Sequence, residues 1–132
     1  MKLSTRYGMA GIAALAALTL AQWLRENPVL SGPVAGYGLG VAPNLFAALA
    51  ITLVLLSIWA DQKKHTDRRS ASGAFLISAA IAGAGLAGWE LIQQTSNHFV
   101  FDGHDLAATL AGLALSGLIF QLVTPRTLGT KR

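Results

Sequence analysis

The chain contains no cysteine, which excludes disulfides, thiolate metal sites and thiol nucleophiles. Charge is scarce as well. Asp, Glu, Lys and Arg together make up 12% of the 132 residues, about half the share usual in soluble domains. Only six residues are acidic against ten basic, and these charges gather in short clusters between long apolar runs. No basic face with interleaved aromatics occurs, so the formal charge of +4 does not point to nucleic acid.

What is abundant is apolar sequence, at 53% of the chain, arranged in four runs near 7–24, 44–60, 74–93 and 106–124. Each approaches the ~20 residues a helix needs to cross about 30 Å of hydrocarbon. The expected fold class is therefore all-α: one domain over 1–132, a polytopic membrane protein with four transmembrane helices in an antiparallel bundle. The second and fourth runs carry no charge. The first is rich in alanine and the third in glycine (Gly83, Gly85, Gly88), so both are expected to face protein more than lipid. Gly85, Gly88, Gly112 and Ser116 are the expected small surfaces for close helix approach.

Orientation follows from lysine and arginine. Nine of the ten basic residues, all but Arg25, lie before the first run, between the second and third, or after the fourth. By the positive-inside rule both termini and the loop around His65 are expected to be cytoplasmic, with the loops Glu26–Pro43 and Asn97–Asp105 outside. Trp23, Trp59 and Trp89 near the span ends fit an aromatic belt. Segment 61–69 is expected to be a solvated, topology-fixing loop touching anionic headgroups. The first outer loop, with Ser31-Gly32-Pro33 and Gly36-Tyr37-Gly38-Leu39-Gly40, is expected to be flexible and turn-rich. It lacks the preceding strand and following Lys-Ser/Thr of a phosphate-binding loop. Lys2, an apolar core and Thr19-Leu20-Ala21 also resemble a secretory signal, although a retained first helix is the expectation.

The chemistry-bearing residues concentrate between Glu90 and Asp105, where three of the six acidic residues and two of the three histidines fall. On a helix, Glu90, Gln93, Gln94 and Asn97 stand at i, i+3, i+4 and i+7 and form one polar stripe. Asp102, Asp105, Thr109, Gly112 and Ser116 form a second, which a short hairpin is expected to set against the first. Glu90 lies deepest, and an ionisable group within a span is a functional candidate by default. Simpler roles exist for the rest. Asp102 suits a helix N-cap, Asp105 suits the positive end of the helix dipole, and the amides suit interhelical hydrogen bonds. His98, His104 and Asp102, with Glu90 and Asp105, offer oxygen and nitrogen ligands for a divalent metal such as zinc or manganese, though their spacing fits no metal motif. Ser96, His98 and Asp102 lack any nucleophile elbow. The sequence specifies no cofactor and no reaction.

Glu90-x-x-Gln93, then Phe101-Asp102-x-x-Asp105-Leu106, then Gly112, resembles the VanZ-like family of small bacterial membrane proteins. The match covers mainly residues 90–112, and the four-span layout is similar as well. Two positions depart from that family: Phe99 stands where an arginine is usual, and Thr109 where an asparagine is usual. Arg25 and His98 are the candidates for the missing positive charge. The resemblance implies a bacterial inner-membrane location and a cell-envelope role, possible glycopeptide (teicoplanin) antibiotic resistance included. It also implies an outward acidic pocket for an envelope lipid or cell-wall component, formed by Glu90, Gln93, Asn97, His98, Asp102 and Asp105. The alternative is an accessory subunit packed on a larger membrane partner or on copies of itself. Membrane lipids are partners under either reading.

Overall fold

The computed structural model describes residues 2–27, 32–94 and 103–128, with backbone alone for 93 and 94. Four helices account for nearly all of them: α1 (Leu3–Glu26), α2 (Pro33–Asp61), α3 (Arg68–Gln94) and α4 (Gly103–Val123). Each is long and apolar enough to cross a membrane. In hydrocarbon a helix satisfies its own backbone polar groups, so long uncharged runs resolve into helices even where glycine is frequent.

That rule overturns one expectation. The stretch from Pro33 to Pro43 is not a turn-rich loop but the opening of α2, which runs 29 residues and reaches about 44 Å at 1.5 Å per residue. Pro33 occupies the first helical position, where its missing N–H is no loss. Gly32 precedes it at φ 107°, a conformation that favours glycine. Pro43 sits inside the helix, a placement that membrane helices tolerate better than soluble ones.

α2 is also the centre of the packing, because most of the contact between helices is made with it. Its most apolar stretch is 33% buried within the protein against 17% for α3. Within this chain the alanine-rich and glycine-rich spans do not face protein more than their surroundings as expected: α1 and α3 are 22% and 17% buried, the lowest of the four. Glycine permits close approach only where a second helix arrives. A Cβ at Gly85 or Gly88 would meet nothing within 4 Å, whereas one at Gly112 would collide with the Leu45 carbonyl and come within 2.9 Å of the Ala48 Cβ, both on α2. Likewise Gly11 of α1 fits under Val54, where a Cβ would lie 2.9 Å from its Cγ2. α3 meets α4 through Gly83 against Leu113 and Phe75 against Phe120.

Two apolar clusters form the core. Ala14, Leu49, Ala50 and Leu53 join α1 to α2 midway along their length. Tyr7, Leu56, Ala60, Ala71, Ala74 and Phe120 draw one end of all four helices together. The same end carries Lys2, Arg6, Lys63, Lys64, Arg68, Arg69 and Arg126, and is called the basic end below. The opposite end, with Glu26, Glu90 and Asp105, is the acidic end.

Candidate functional site

Glu90 is the carboxylate that the fold treats most unusually. It is 4% exposed, while its neighbours Trp89, Leu91 and Ile92 are 55%, 58% and 62% exposed. Successive residues point about 100° apart on a helix. The last turns of α3 thus present apolar side chains outward and turn the one carboxylate in, which is the orientation a charged group in a span requires.

At the start of α4, Tyr37 Oη of α2 lies 3.1 Å from His104 Nδ1. The two rings meet edge to face at 5.3 Å. Tyr37 was not among the residues singled out by sequence. It belongs to the segment taken for a loop, and only its placement on a helix brings it to α4. A tyrosine in an apolar segment that needs a partner for its hydroxyl was the available signal. Asp105 occupies the first turn of α4, where its charge suits the helix dipole, and its carbonyl accepts a 3.0 Å bond from Thr109 Oγ1.

The second polar stripe is present but faces a different helix from the one expected. Thr109 and Ser116 are buried at 4% and 0%, on the α4 face whose Gly112 abuts α2. The Ser116 hydroxyl is returned to the Leu113 carbonyl at 2.6 Å. α4 gives its small face to α2 because α2 brings backbone there, and α3 does not.

Of the remaining candidates, the side chains of Gln93, Gln94, Asn97, His98 and Asp102 lie outside the described residues, as does Ser96. Among the described residues no group of three His, Asp or Glu is placed to hold a metal ion. The His104 donor that is described faces Tyr37, and its companions in the metal expectation, His98 and Asp102, fall in the segment not described. Between α1 and α2, the acidic half also carries an apolar cleft of about 350 Å³ lined by Leu20, Leu24, Leu39 and Phe46 among others.

The basic end is built differently. Tyr7 Oη and Thr124 Oγ1 lie 2.5 Å apart in a buried pair that spans 117 positions of sequence. Tyr7 stacks on Phe120 at 6.2 Å, and Phe120 on Phe75 at 5.0 Å. Arg68 donates to the Thr124 carbonyl at 2.9 Å and to the Gln121 side chain. Ser57 donates to the Ser4 carbonyl at 2.7 Å, and Ser4 donates to Asp61 at 3.4 Å. Asp67 caps α3 by accepting from the Ser70 amide at 3.0 Å. Sequence reasoning left Ser4, Tyr7, Ser57, Phe75, Phe120 and Thr124 aside, since each is a single residue with no local pattern, and took Asp61, Asp67 and Arg68 for a topology-fixing loop. Their arrangement is that of a structural clasp, with every hydroxyl turned to a neighbour.

Comparison of the chain with family models, with curated proteins and with solved structures finds no match.

Proposed function

We propose that the chain is a VanZ-like protein of the bacterial inner membrane whose acidic end binds an envelope lipid or cell-wall component beside Glu90. In this reading the four helices run antiparallel, with both termini and the 61–67 loop in the cytoplasm. The observation that carries it is the burial of Glu90, 4% exposed between exposed apolar neighbours. Ionisable groups within spans face the bundle interior and commonly mark binding sites. Tyr37 and His104, joined across α2 and α4, supply polar groups at the same end, and Asp105 adds a second carboxylate. No reaction is assigned to them.

The test compares growth under cell-wall-directed and membrane-directed antibiotics for cells expressing the parent chain, Glu90→Gln or Asp105→Asn at matched membrane levels. The proposal expects the parent to change sensitivity and Glu90→Gln to abolish that change while the protein still inserts. Equal behaviour of parent and both variants would overturn it. Topology is checked separately. With no native cysteine, a single cysteine at Thr66 should react only from the cytoplasmic side, and one at Glu26 only from outside.

One observation favours the alternative, an accessory subunit. The α3 face at Gly85 and Gly88 is open, with nothing within 4 Å of a Cβ at either position, as a surface for another membrane helix would be. Under that reading Gly85→Leu dissociates a complex seen by crosslinking, while Glu90→Gln leaves it intact.

A further inference from the structure

The end of α2 and the start of α3 diverge to leave a cleft of about 570 Å³. Its mouth is polar, formed by Lys63, His65 and Ser70, and its walls are mainly apolar, with Trp59, Ile77 and Ile81 prominent and the Ser78 hydroxyl among them. Ile77 and Ile81 are 64% and 55% exposed, so the cleft opens sideways toward the bilayer as well as toward the basic surface. From Ser70 to Ile81 the helix rises about 16 Å at 1.5 Å per residue. That is roughly half of a ~30 Å hydrocarbon core, the depth of one leaflet.

Two carboxylates stand near the mouth without lining the cleft. Asp61 accepts from Ser4 and Asp67 caps the Ser70 amide, and neither lines the cleft. Lys64 adds a further cation on the adjoining surface, where it lines a separate recess with Lys2, Lys63 and Asp61. The walls thus combine a cationic rim, a tryptophan at the depth where indole rings favour the interface, and an apolar floor reached from the side.

We propose that this cleft holds one anionic phospholipid. Its phosphate sits between Lys63 and His65, and one acyl chain lies along Trp59, Ile77 and Ile81. Basic residues beside a span attract anionic headgroups, and the apolar wall selects a lipid over a soluble phosphate, which would leave that wall unused. The site lies at the opposite end of the bundle from Glu90 and does not depend on the role proposed for that residue.

The test uses full-length protein reconstituted in vesicles, with Trp23→Phe and Trp89→Phe so that Trp59 alone reports. Vesicles contain increasing fractions of acyl-brominated phosphatidylglycerol or acyl-brominated phosphatidylcholine. The anionic lipid should quench Trp59 at a mole fraction at least about fivefold lower than the zwitterionic one. Lys63→Gln with His65→Gln should remove that preference, at about fivefold for the lysine charge lost at an anionic surface. Gly73→Leu is the second arm. Gly73 lines the cleft and a Cβ there meets nothing within 4 Å, so the new side chain grows into the site without disturbing the helix, and quenching by both lipids should fall. Inorganic phosphate at millimolar concentration should leave the signal unchanged. Equal quenching by the two lipids, a preference that survives the double substitution, or displacement by inorganic phosphate would each overturn the proposal.

Discussion

The two ends of the bundle use their polar residues in opposite ways. At the basic end, hydroxyls and one guanidinium close on partners in other helices: Tyr7 on Thr124, Ser57 on Ser4, Arg68 on Thr124 and Gln121. Beneath them lies an aromatic stack of Tyr7, Phe120 and Phe75. At the acidic end an apolar cleft lies between α1 and α2, the pair joining α2 to α4, Tyr37 and His104, is exposed, and the Glu90 carboxylate is buried. Interhelical hydrogen bonds in a membrane are worth modest amounts each, so a clasp needs several together with a packed floor. The basic end has both. Among the described residues, the buried interhelical hydrogen bonds and the aromatic stack concentrate at the basic end.

The largest effect expected from that contrast is on core volume. Phe120 is 2% exposed, and Phe120→Ala should destabilise the fold by about 3–5 kcal/mol through lost contact and the cavity left behind. Leu20→Ala at the cleft, 57% exposed, should stay within about 0.5 kcal/mol. Unfolding in micelles, followed by helical circular dichroism, gives both values. Similar losses for the two would mean that the ends are not distinct.

Glycine sharpens the same contrast. Gly112→Val places a side chain against the Leu45 backbone and the Ala48 Cβ, which should cost about 1–3 kcal/mol or more. Gly85→Val meets open space and should leave the unfolding midpoint nearly unchanged. A loss at Gly85 that matches Gly112 would point instead to a helix seated on the α3 face.

The hydroxyls come next. Tyr7→Phe and Thr124→Val, combined in a double-mutant cycle, should couple by about 0.6–1.7 kcal/mol, the range of interhelical bonds in membrane proteins. Tyr37→Phe should fall below the lower value, because its bond to His104 is exposed. A larger effect at Tyr37 than at Tyr7 would reverse the assignment of the two ends.

How much of this was legible in the sequence depends on the range of the signal. The four spans were legible because hydropathy is local and additive. The start of α2 was not, since Pro33, Gly36, Gly38 and Gly40 are turn signals in water, yet backbone satisfaction outweighs them in a membrane. The inward orientation of Glu90 was legible from its depth in the span, and the residue is buried. Which helix the Thr109–Ser116 face would meet was not legible, because chain adjacency favoured α3 and packing chose α2. The clasp was invisible for a similar reason: Tyr7 and Thr124 are 117 residues apart, and a lone hydroxyl carries no pattern.

The smallest effect expected is at the exposed edge of the basic end, where a single carboxylate ties stability to pH. Asp67 is held below its ordinary carboxylate range by hydrogen bonds from Ser70, the side chain first and then the backbone amide. A group whose folded value is depressed binds fewer protons folded than unfolded, so its contribution is complete above the unfolded value. That value is near 3.8, and the contribution is lost as pH falls through it toward the lower folded one. The unfolding midpoint in micelles should therefore drop for the parent chain between about pH 5 and pH 3 by more than for Asp67→Ala. Asp67→Asn separates the two properties of the residue. Asparagine caps a helix about as well as aspartate, so this variant should keep the stability at pH 7 and lose the extra slope in acid. Should Asp67→Asn keep the parental slope, the acid sensitivity belongs to other carboxylates, and the clasp at the basic end is independent of charge at its edge.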